Sequence, residues 1–520
     1  MNYPVWQLGF PGGILIGLVA ILHVFVSHFA VGGGAFLVVT EQRAHQRNDR
    51  ELLAYVRRHS NFFALLTLVF GALSGVGIWF TIGLVSPEGT STLIHSFVWG
   101  WAIEWVFFFV EIAAAIIYAK SWDALDPRSH RIIGWIYFVA AYMSLVIING
   151  IITFMLTPGK WIETHGFWDG FWNPTYWPSL VARTAMCLLL AGVWGLVTVG
   201  KSTARERIVR WSGEWILAGA VILPVALWWY FAKVPAASKT MMASSMTGVV
   251  HAIRGGIGFG VTVALLALIF AIAKPRWMRA PVIAVMIVCA LGFMGAAEYM
   301  REFVRKPWVV TNYIYSNDLR ANSIDAVSKD GVRKNANFLL SDNNQSAQYG
   351  RDLFVLECSS CHGANGYRSM KSRVVGWDSD FAADMLSHIH VLKGAMPRFA
   401  GNDEDRAALG KYLASLNSPV NYGPITAANK LQVGEQVFAA RCGHCHTVNG
   451  KFRPLRGVFE NAQPDQVSAM FPVLDSMSPN MPKFTAPDDQ AQALAEYISH
   501  EANRPLTVTE KPDARLPGVK

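Results

Sequence analysis

The sequence predicts an all-α protein, in which an eight-helix transmembrane bundle is followed by two small α-helical domains. Of the 520 residues, 52% are hydrophobic, and the apolar residues are concentrated before about residue 305. Eight apolar runs are long enough to cross a bilayer, which takes about 20 helical residues. Beyond residue 345 the chain is polar, and two segments repeat the same motifs in the same order, which indicates an internal duplication.

The apolar runs and the charges between them predict how the chain crosses the membrane. The spans are expected near residues 12–38, 61–85, 95–118, 131–156, 178–200, 212–234, 247–274 and 280–304. Arg and Lys are concentrated in the odd-numbered loops, so these loops are expected in the cytoplasm and both termini outside. This topology accounts for the formal net charge of +9 without a nucleic-acid partner. No cleavable leader is evident, so Met1 is expected to begin the mature protein.

The sequence Cys-x-x-Cys-His occurs twice after the last span. The two copies are Cys358-Ser-Ser-Cys361-His362 and Cys442-Gly-His-Cys445-His446. In this motif the two cysteines form thioether bonds to a haem and the histidine ligates its iron. Because c-type haem is normally attached outside the cytoplasm, the motifs agree with the predicted topology. Cys187 and Cys289 lie in apolar runs and are expected to be small buried hydrophobes.

Each Cys-x-x-Cys-His copy lies within a repeated module that resembles a class I cytochrome c domain. A Gly-x-x-x-Phe sequence precedes each motif, and a Met-Pro-x-Phe sequence follows each histidine by 34 and 35 residues. The resemblance implies that Met396 and Met481 are the second axial ligands, with Met477 an alternative in the second module. The domains are expected at 1–308 (membrane), 309–345 (linker), 346–420 (first cytochrome c domain) and 421–510 (second).

Ionisable side chains within the predicted spans indicate functional sites, because burying them in a bilayer is costly. The main candidates are His23, Glu104, Glu111 and Glu302. The first two lie about 15 Å from the outer ends of their spans, at 1.5 Å per helical residue. For each candidate a structural alternative stays open, in which His23 bonds to a neighbouring side chain and the glutamates pair with Arg254 or Arg305. For His28, His95 and His251 we favour the structural interpretation.

Several of these residues lie in motifs similar to subunit I of the cytochrome bd oxygen-reductase superfamily. The motifs are His23-Val-Phe-Val with Glu41, Ala102-Ile103-Glu104, Trp122-Asp123, Asn149-Gly150 and Arg301-Glu302 continuing to Arg305-Lys306-Pro307-Trp308. The resemblance implies that His23 is the axial ligand of an oxygen-reactive haem and Glu302 a ligand of a neighbouring high-spin b haem. It further implies that Arg305 and Trp308 contact the haems, that Glu104 and Glu111 lie on a proton route, and that a second membrane subunit is present. Glu298 has no counterpart in the family pattern.

The sequence departs from that family where a low-spin b haem and a quinol site are expected. Span five has Ala182-Arg183-Thr184 with no histidine, and span seven has Arg254-Gly255-Gly256 with no methionine. The loop between spans six and seven is too short for the family's quinol-binding loop, and a ninth span is missing. We therefore expect no quinol site, and electrons from a periplasmic c-type carrier instead.

Three functions follow from these observations. The first is a bd-like terminal oxidase of the inner membrane, which passes electrons from cytochrome c through two haem c groups to two intramembrane haems of b or d type. The second is a non-catalytic electron-transfer subunit of a larger respiratory complex, with every haem iron fully coordinated. The third, ranked last, is reduction of a small nitrogen or sulfur compound.

Overall fold

The computed structural model describes residue 8 and residues 10–243, 247–336, 347–392, 395–450 and 453–507. It confirms the all-α fold class, and among these described residues eight helices are long and apolar enough to cross a membrane. These helices are α1 Gly12–Gln46, α2 Arg50–Val85, α3 Val98–Lys120, α4 Pro127–Phe154, α5 Tyr176–Val197, α6 Arg205–Lys233, α7 Gly248–Ala273 and α8 Ala280–Arg305. The chain divides into two compact units: one is Gly13–Tyr315, and the other contains Ser316 and the following residues together with those before Gly13.

The first two membrane helices are longer than their apolar runs predict. Arg43 lies within α1, and Arg50, Arg57 and Arg58 lie within α2, although all four were expected in a loop. Hydropathy detects only the part of a helix within the bilayer, whereas backbone hydrogen bonding continues beyond it. Only residues 47–49 connect α1 to α2. The Asp49 side chain caps the start of α2 by accepting a hydrogen bond from Leu52 N at 3.1 Å.

Small residues let the membrane helices approach closely. A side chain on Gly32 of α1 would collide with the carbonyl oxygen of Cys187 in α5, and one on Gly219 of α6 would collide with the carbonyl oxygen of Ala185. Such contacts between small residues drive helix association in a bilayer, where lipid tails are as apolar as the helices. They produce a continuous buried core around α1, α5 and α6, in which Cys187 is 2% exposed.

Shorter elements join the spans. They are helices Pro87–Ser96, Trp161–Thr164, Phe167–Phe171, Ala236–Ala243 and Pro275–Trp277, and the antiparallel strands β1 Trp308–Val310 and β2 Ile314–Tyr315. His95 thus belongs to the short helix before α3 and not to the span that was expected to contain it.

The segment expected to be a linker contains strands and helices in its described part. After β2 come helices Ala321–Ser323, Ile324–Asp330 and Val332–Asn335. The backbone N–H of Val332 donates to the Asp405 carboxylate at 2.9 Å, which attaches this segment to the first repeated module. Residues 337–345 lie outside the described part of the chain.

The two repeated modules pack their first and last helices in the same way. Their main helices are α9 Ala347–Glu357, α10 Ser379–His388 and α11 Asp403–Ser415 in the first, and α12 Lys430–Arg441 and α13 Asp488–Asn503 in the second. Gly350 lies against the backbone of Ala408, as Gly434 lies against that of Ala493. Beside these glycines, Phe354 packs on Tyr412 with ring centroids 5.5 Å apart, and the matching pair in the second module is 5.6 Å apart. The duplication seen in the sequence is therefore also a duplication of packing.

Candidate functional site

The two Cys-x-x-Cys-His segments form the same turn directly after the first helix of each module. In the first module, the backbone N–H groups of Cys361 and His362 donate to the carbonyl of Cys358 at 3.1 and 2.9 Å. The corresponding bonds to the carbonyl of Cys442 measure 3.0 and 2.9 Å. This turn presents both sulfurs and the imidazole from one short segment, as covalent attachment of one haem requires.

Each signature histidine is oriented by a backbone carbonyl. His362 Nδ1 lies 3.4 Å from the carbonyl oxygen of Arg368, and His446 Nδ1 lies 3.1 Å from that of Arg453. An Nδ1–H held in this way favours the tautomer in which the lone pair on Nε2 is the one that ligates iron. Burial lowers the pKa of His446, which favours the neutral imidazole that binds metals. Both histidines therefore fit an iron-ligating role.

The signature cysteines fit thioether attachment better than thiolate chemistry. All four are free of disulfide bonds. Burial raises the pKa of Cys358 well above its usual value and that of Cys442 to about 12. At these two positions burial disfavours the thiolate that zinc binding or thiol redox chemistry needs.

The predicted methionine ligands are both partly buried. Met396 packs against the buried side chains of Phe381, Met385 and Leu392. Met481 is also half-buried, whereas Met477 has 55% of its surface exposed. A side chain directed into solvent is a poor axial ligand, so the exposure favours Met481 over Met477 in the second module.

A contact surface between the two modules involves the second haem-attachment segment. Trp377 of the first module donates its indole N–H to the carbonyl of Ala440 at 3.0 Å, and its ring lies edge-on to His444 at 5.3 Å. Arg441 pairs with Asp378 at 2.7 Å. Cys445 packs against the buried cluster of Phe381, Met385 and Leu392, against which Met396 also packs. A predicted haem ligand of one module and an attachment cysteine of the other thus share one apolar cluster.

In the membrane unit, the imidazole of His23 is held from a neighbouring helix. His23 Nδ1 lies 3.1 Å from the hydroxyl of Ser74 in α2, and the adjacent Gly75 leaves room for the ring. This contact is the bond to a neighbouring side chain that the structural alternative described, and anchoring one ring nitrogen is equally what a ligand histidine needs from its surroundings. By contrast, His28 is buried with Nδ1 2.8 Å from the carbonyl of Val24, an ordinary structural bond.

The two glutamates of α3 each have a hydroxyl partner on α4. Ser144 donates to Glu104 at 2.9 Å, and Tyr137 donates to Glu111 at 3.0 Å. Hydroxyl groups can both donate and accept, so each pair is able to take part in a hydrogen-bonded relay. These hydroxyl partners could not be identified from the sequence, because a lone Ser or Tyr in an apolar run carries no signal of its own.

The end of α8 carries a series of ion pairs. Glu298 accepts from Arg301 at 2.7 Å, and Glu302 pairs with Arg305 and, at 3.0 Å, with Lys306. Glu302 therefore has the cationic partner that the structural alternative described. Arg305 also reaches the carbonyl of Val309 at 3.3 Å and has only 7% of its surface exposed.

Beyond this ion-pair series, the indole of Trp308 in β1 stacks on Tyr315 of β2, with ring centroids 3.9 Å apart. Trp308 is thus fixed by the strand pair, immediately after the Arg305–Pro307 segment.

Comparisons with known proteins agree with this division of the chain. The family described as cytochrome C oxidase, cbb3-type, subunit III matches residues 345–413 and again 429–498. The structure of bd oxidase from Geobacillus thermodenitrificans resembles this one with a TM-score of 0.51 at 13% sequence identity, covering 58% of this chain and 89% of that chain. At this identity the similarity concerns the fold alone. No curated protein sequence matches the chain.

The fold and the sites together define a multi-pass membrane haemoprotein of electron transfer. It joins a bd oxidase-like membrane fold to two c-type cytochrome domains, which imply covalently bound haem c and an electron-carrier partner.

Proposed function

We propose that this protein is the subunit of a bd-like terminal oxidase that accepts electrons from periplasmic cytochrome c and reduces oxygen to water. The observation that carries the proposal is the joining, in one chain, of a bd oxidase-like membrane fold with two c-type modules. In such an arrangement the covalent haems would accept electrons, and an intramembrane haem pair of b or d type would supply the iron that binds oxygen. A second membrane subunit would complete the assembly.

The contact between the modules supports direct electron transfer from one to the other. Trp377 and the Arg441–Asp378 pair hold the first module against the second haem-attachment segment. A fixed contact of this kind removes the need for a diffusive encounter between the two carriers. Methionine ligation at Met396 and Met481 would raise both potentials, which suits delivery to an oxidising acceptor.

The polar groups within the bundle support an intramembrane haem site and a proton route toward it. His23 would ligate the oxygen-reactive iron, with Ser74 fixing the orientation of its imidazole. Glu111 and Glu104 would carry protons through the hydroxyl groups of Tyr137 and Ser144.

Quinol is the electron source that the proposal excludes. Arg183 occupies α5 where a histidine ligand would be needed, and its Nε lies 3.3 Å from the Ser179 hydroxyl. The connection from Lys233 to Gly248 is short, and its described part includes the helix Ala236–Ala243. The described part of this connection contains no extended loop that could bind a quinol.

Oxygen consumption by the purified protein tests the proposal. Reduced cytochrome c should support oxygen uptake, and a soluble quinol should not. The cytochrome c-dependent rate should fall steeply with ionic strength if the carrier docks through charged surfaces, because salt screens exposed charges beyond about 10 Å at 0.1 M. Absence of oxygen uptake with reduced cytochrome c, in a preparation that retains all its haem, would refute the proposal.

One observation favours a second candidate, a non-catalytic electron-transfer subunit. Glu302, expected to ligate iron, is already paired with Arg305 and Lys306. If that pairing persists in the holoprotein, the membrane unit has one ligand fewer for a haem pair. Binding of carbon monoxide separates the candidates, because an oxidase requires an open iron coordination position and a pure electron carrier has none.

A further inference from the structure

A buried carboxyl group lies directly before the first haem-attachment segment. Glu357 is the last residue of α9 and has 7% of its surface exposed. Its Oε2 accepts a hydrogen bond from the backbone N–H of Ala400 at 3.1 Å. The next residue is Cys358, which would bond to the porphyrin and not to its iron, and Ala400 follows Met396 by four residues. The carboxyl group therefore joins the two chain segments that would hold the first haem.

The other oxygen of this carboxyl group is buried and unpaired. Among the described residues, no donor reaches Glu357 Oε1, and no Lys, Arg or His nitrogen lies within 4.0 Å of the carboxylate. An ionised carboxylate is costly to bury without such a partner. Burial accordingly raises the pKa of Glu357 well above its usual value, and the Asp405 carboxylate adds to this, although the hydrogen bond from Ala400 opposes it. The balance between the neutral and ionised forms of Glu357 is thus open to control by a nearby positive charge.

The titratable groups that face Glu357 are acidic or neutral. Asp405 of α11 is 2% exposed and accepts a hydrogen bond from the hydroxyl of Tyr349 in α9. Arg333 stacks over the Tyr349 ring, with its guanidinium carbon 4.7 Å from the ring centroid. The Cys358 thiol would be neutral once it is bonded to the porphyrin. Because no cation of the described chain pairs with Glu357, we expect its carboxyl group to respond to the charge of the haem attached beside it.

The second module has a different residue at the matching position. Arg441 directly precedes Cys442, as Glu357 precedes Cys358. Its guanidinium pairs with the Asp378 carboxylate at 2.7 Å, and an arginine stays charged at every pH at which proteins are studied. A proton-linked property that arises from Glu357 should therefore be confined to the first haem, and the second haem of the same chain is an internal control.

We propose that Glu357 couples the uptake of one proton to reduction of the haem attached at Cys358 and Cys361. On reduction, the ferric iron takes one electron from a reduced c-type carrier, and the Glu357 carboxylate takes one proton from water. Oxidation releases both. The cause is electrostatic, because reduction removes a positive charge that favours the carboxylate over the neutral acid. This coupling does not depend on the proposed function, since it requires only the covalent haem and holds for any final acceptor of the electrons.

The midpoint potential of the first haem, measured against pH on the full-length protein, tests this coupling. At low pH Glu357 is neutral in both redox states, and as the pH rises the oxidised form loses its proton first, so the midpoint potential should fall. The slope reaches at most about 59 mV per pH unit, the value of a tenfold change for a one-electron couple. Glu357→Gln keeps an acceptor for Ala400 N–H and has no acid proton, so its midpoint potential should stay at the low-pH value of the unmodified protein. Glu357→Asp, which retains an acid, should restore a slope.

Spectroelectrochemical titration from about pH 5 to pH 9 covers the pKa range that buried glutamates reach. Met396→His identifies the signal of the first haem, because loss of a methionine ligand lowers its potential. Glu404→Gln removes an exposed carboxylate of the same module and should leave the slope unchanged, and the second haem should titrate equally in Glu357→Gln and the unmodified protein. A first-haem potential that is independent of pH, or that keeps its slope in Glu357→Gln, would overturn the coupling. Absence of oxygen uptake with the slope intact would count against the proposed function alone.

Discussion

Replacing Trp377 with alanine should loosen the contact between the two cytochrome modules. The change removes the indole hydrogen bond to the carbonyl of Ala440 and the edge-on contact with His444. A hydrogen bond contributes a net of about 1 kcal/mol and an aromatic contact about 1 kcal/mol more, so the loss is about 2 kcal/mol. At 1.4 kcal/mol for each factor of ten, the docking equilibrium should fall about 30-fold.

Amide hydrogen exchange measures this loss directly. Peptides that cover residues 376–392 and 437–446, on the two sides of the contact, should lose protection about 30-fold in Trp377→Ala, if undocking governs their exchange. Trp377→Phe retains the ring and loses only the hydrogen bond, so about fivefold is expected. Peptides from the core of α13 should be unaffected. Unchanged protection at the contact, or equal loss in α13, would refute the role assigned to Trp377.

Further predictions concern the ligands, the covalent haems and the acidic end of the module contact. His23→Ala should abolish carbon monoxide binding without changing the covalently attached haem, which a haem stain of the denatured protein checks. Cys445→Ala should lower the covalently attached haem, and retention of two thioether-linked haems would contradict its assignment. Burial raises the pKa of Asp378, but hydrogen bonds from Phe381 N and Arg441 outweigh it and leave the pKa lowered. The stabilising contribution of Asp378 should thus be complete above its ordinary pKa of about 4 and decline below it, where exchange protection at the contact should fall. No change in protection between pH 7 and pH 3 would contradict this.

The sequence predicted the fold class because its two strongest signals are local. An apolar run long enough to cross a bilayer has few other structures available, and Cys-x-x-Cys-His with a repeated Met-Pro-x-Phe specifies a module within a short stretch of chain. Helix ends were less predictable, as Arg57 illustrates. It lies in α2 and pairs with Asp123 at 2.5 Å, although its charge alone suggested a loop.

The contacts between distant residues could not be predicted from one sequence. Glu41 and His130 are 89 positions apart, and their pairing depends on how α1 and α4 pack. Trp377 carries no motif, so its role at the module contact became visible only from the structure. For Glu302 the sequence left two roles open, pairing with Arg305 or ligation of haem iron, and the structure shows the carboxylate paired with Arg305 and Lys306.

His23 is proposed to hold an iron with an open coordination position, which the covalent haems reduce. A carbon monoxide difference spectrum of the dithionite-reduced protein, with haem content determined on the same sample, tests this proposal. We expect a carbon monoxide adduct from noncovalent haem in the unmodified protein and none in His23→Ala at equal haem c content. A sample that contains only covalently bound haem, or an adduct that persists in His23→Ala, would contradict it.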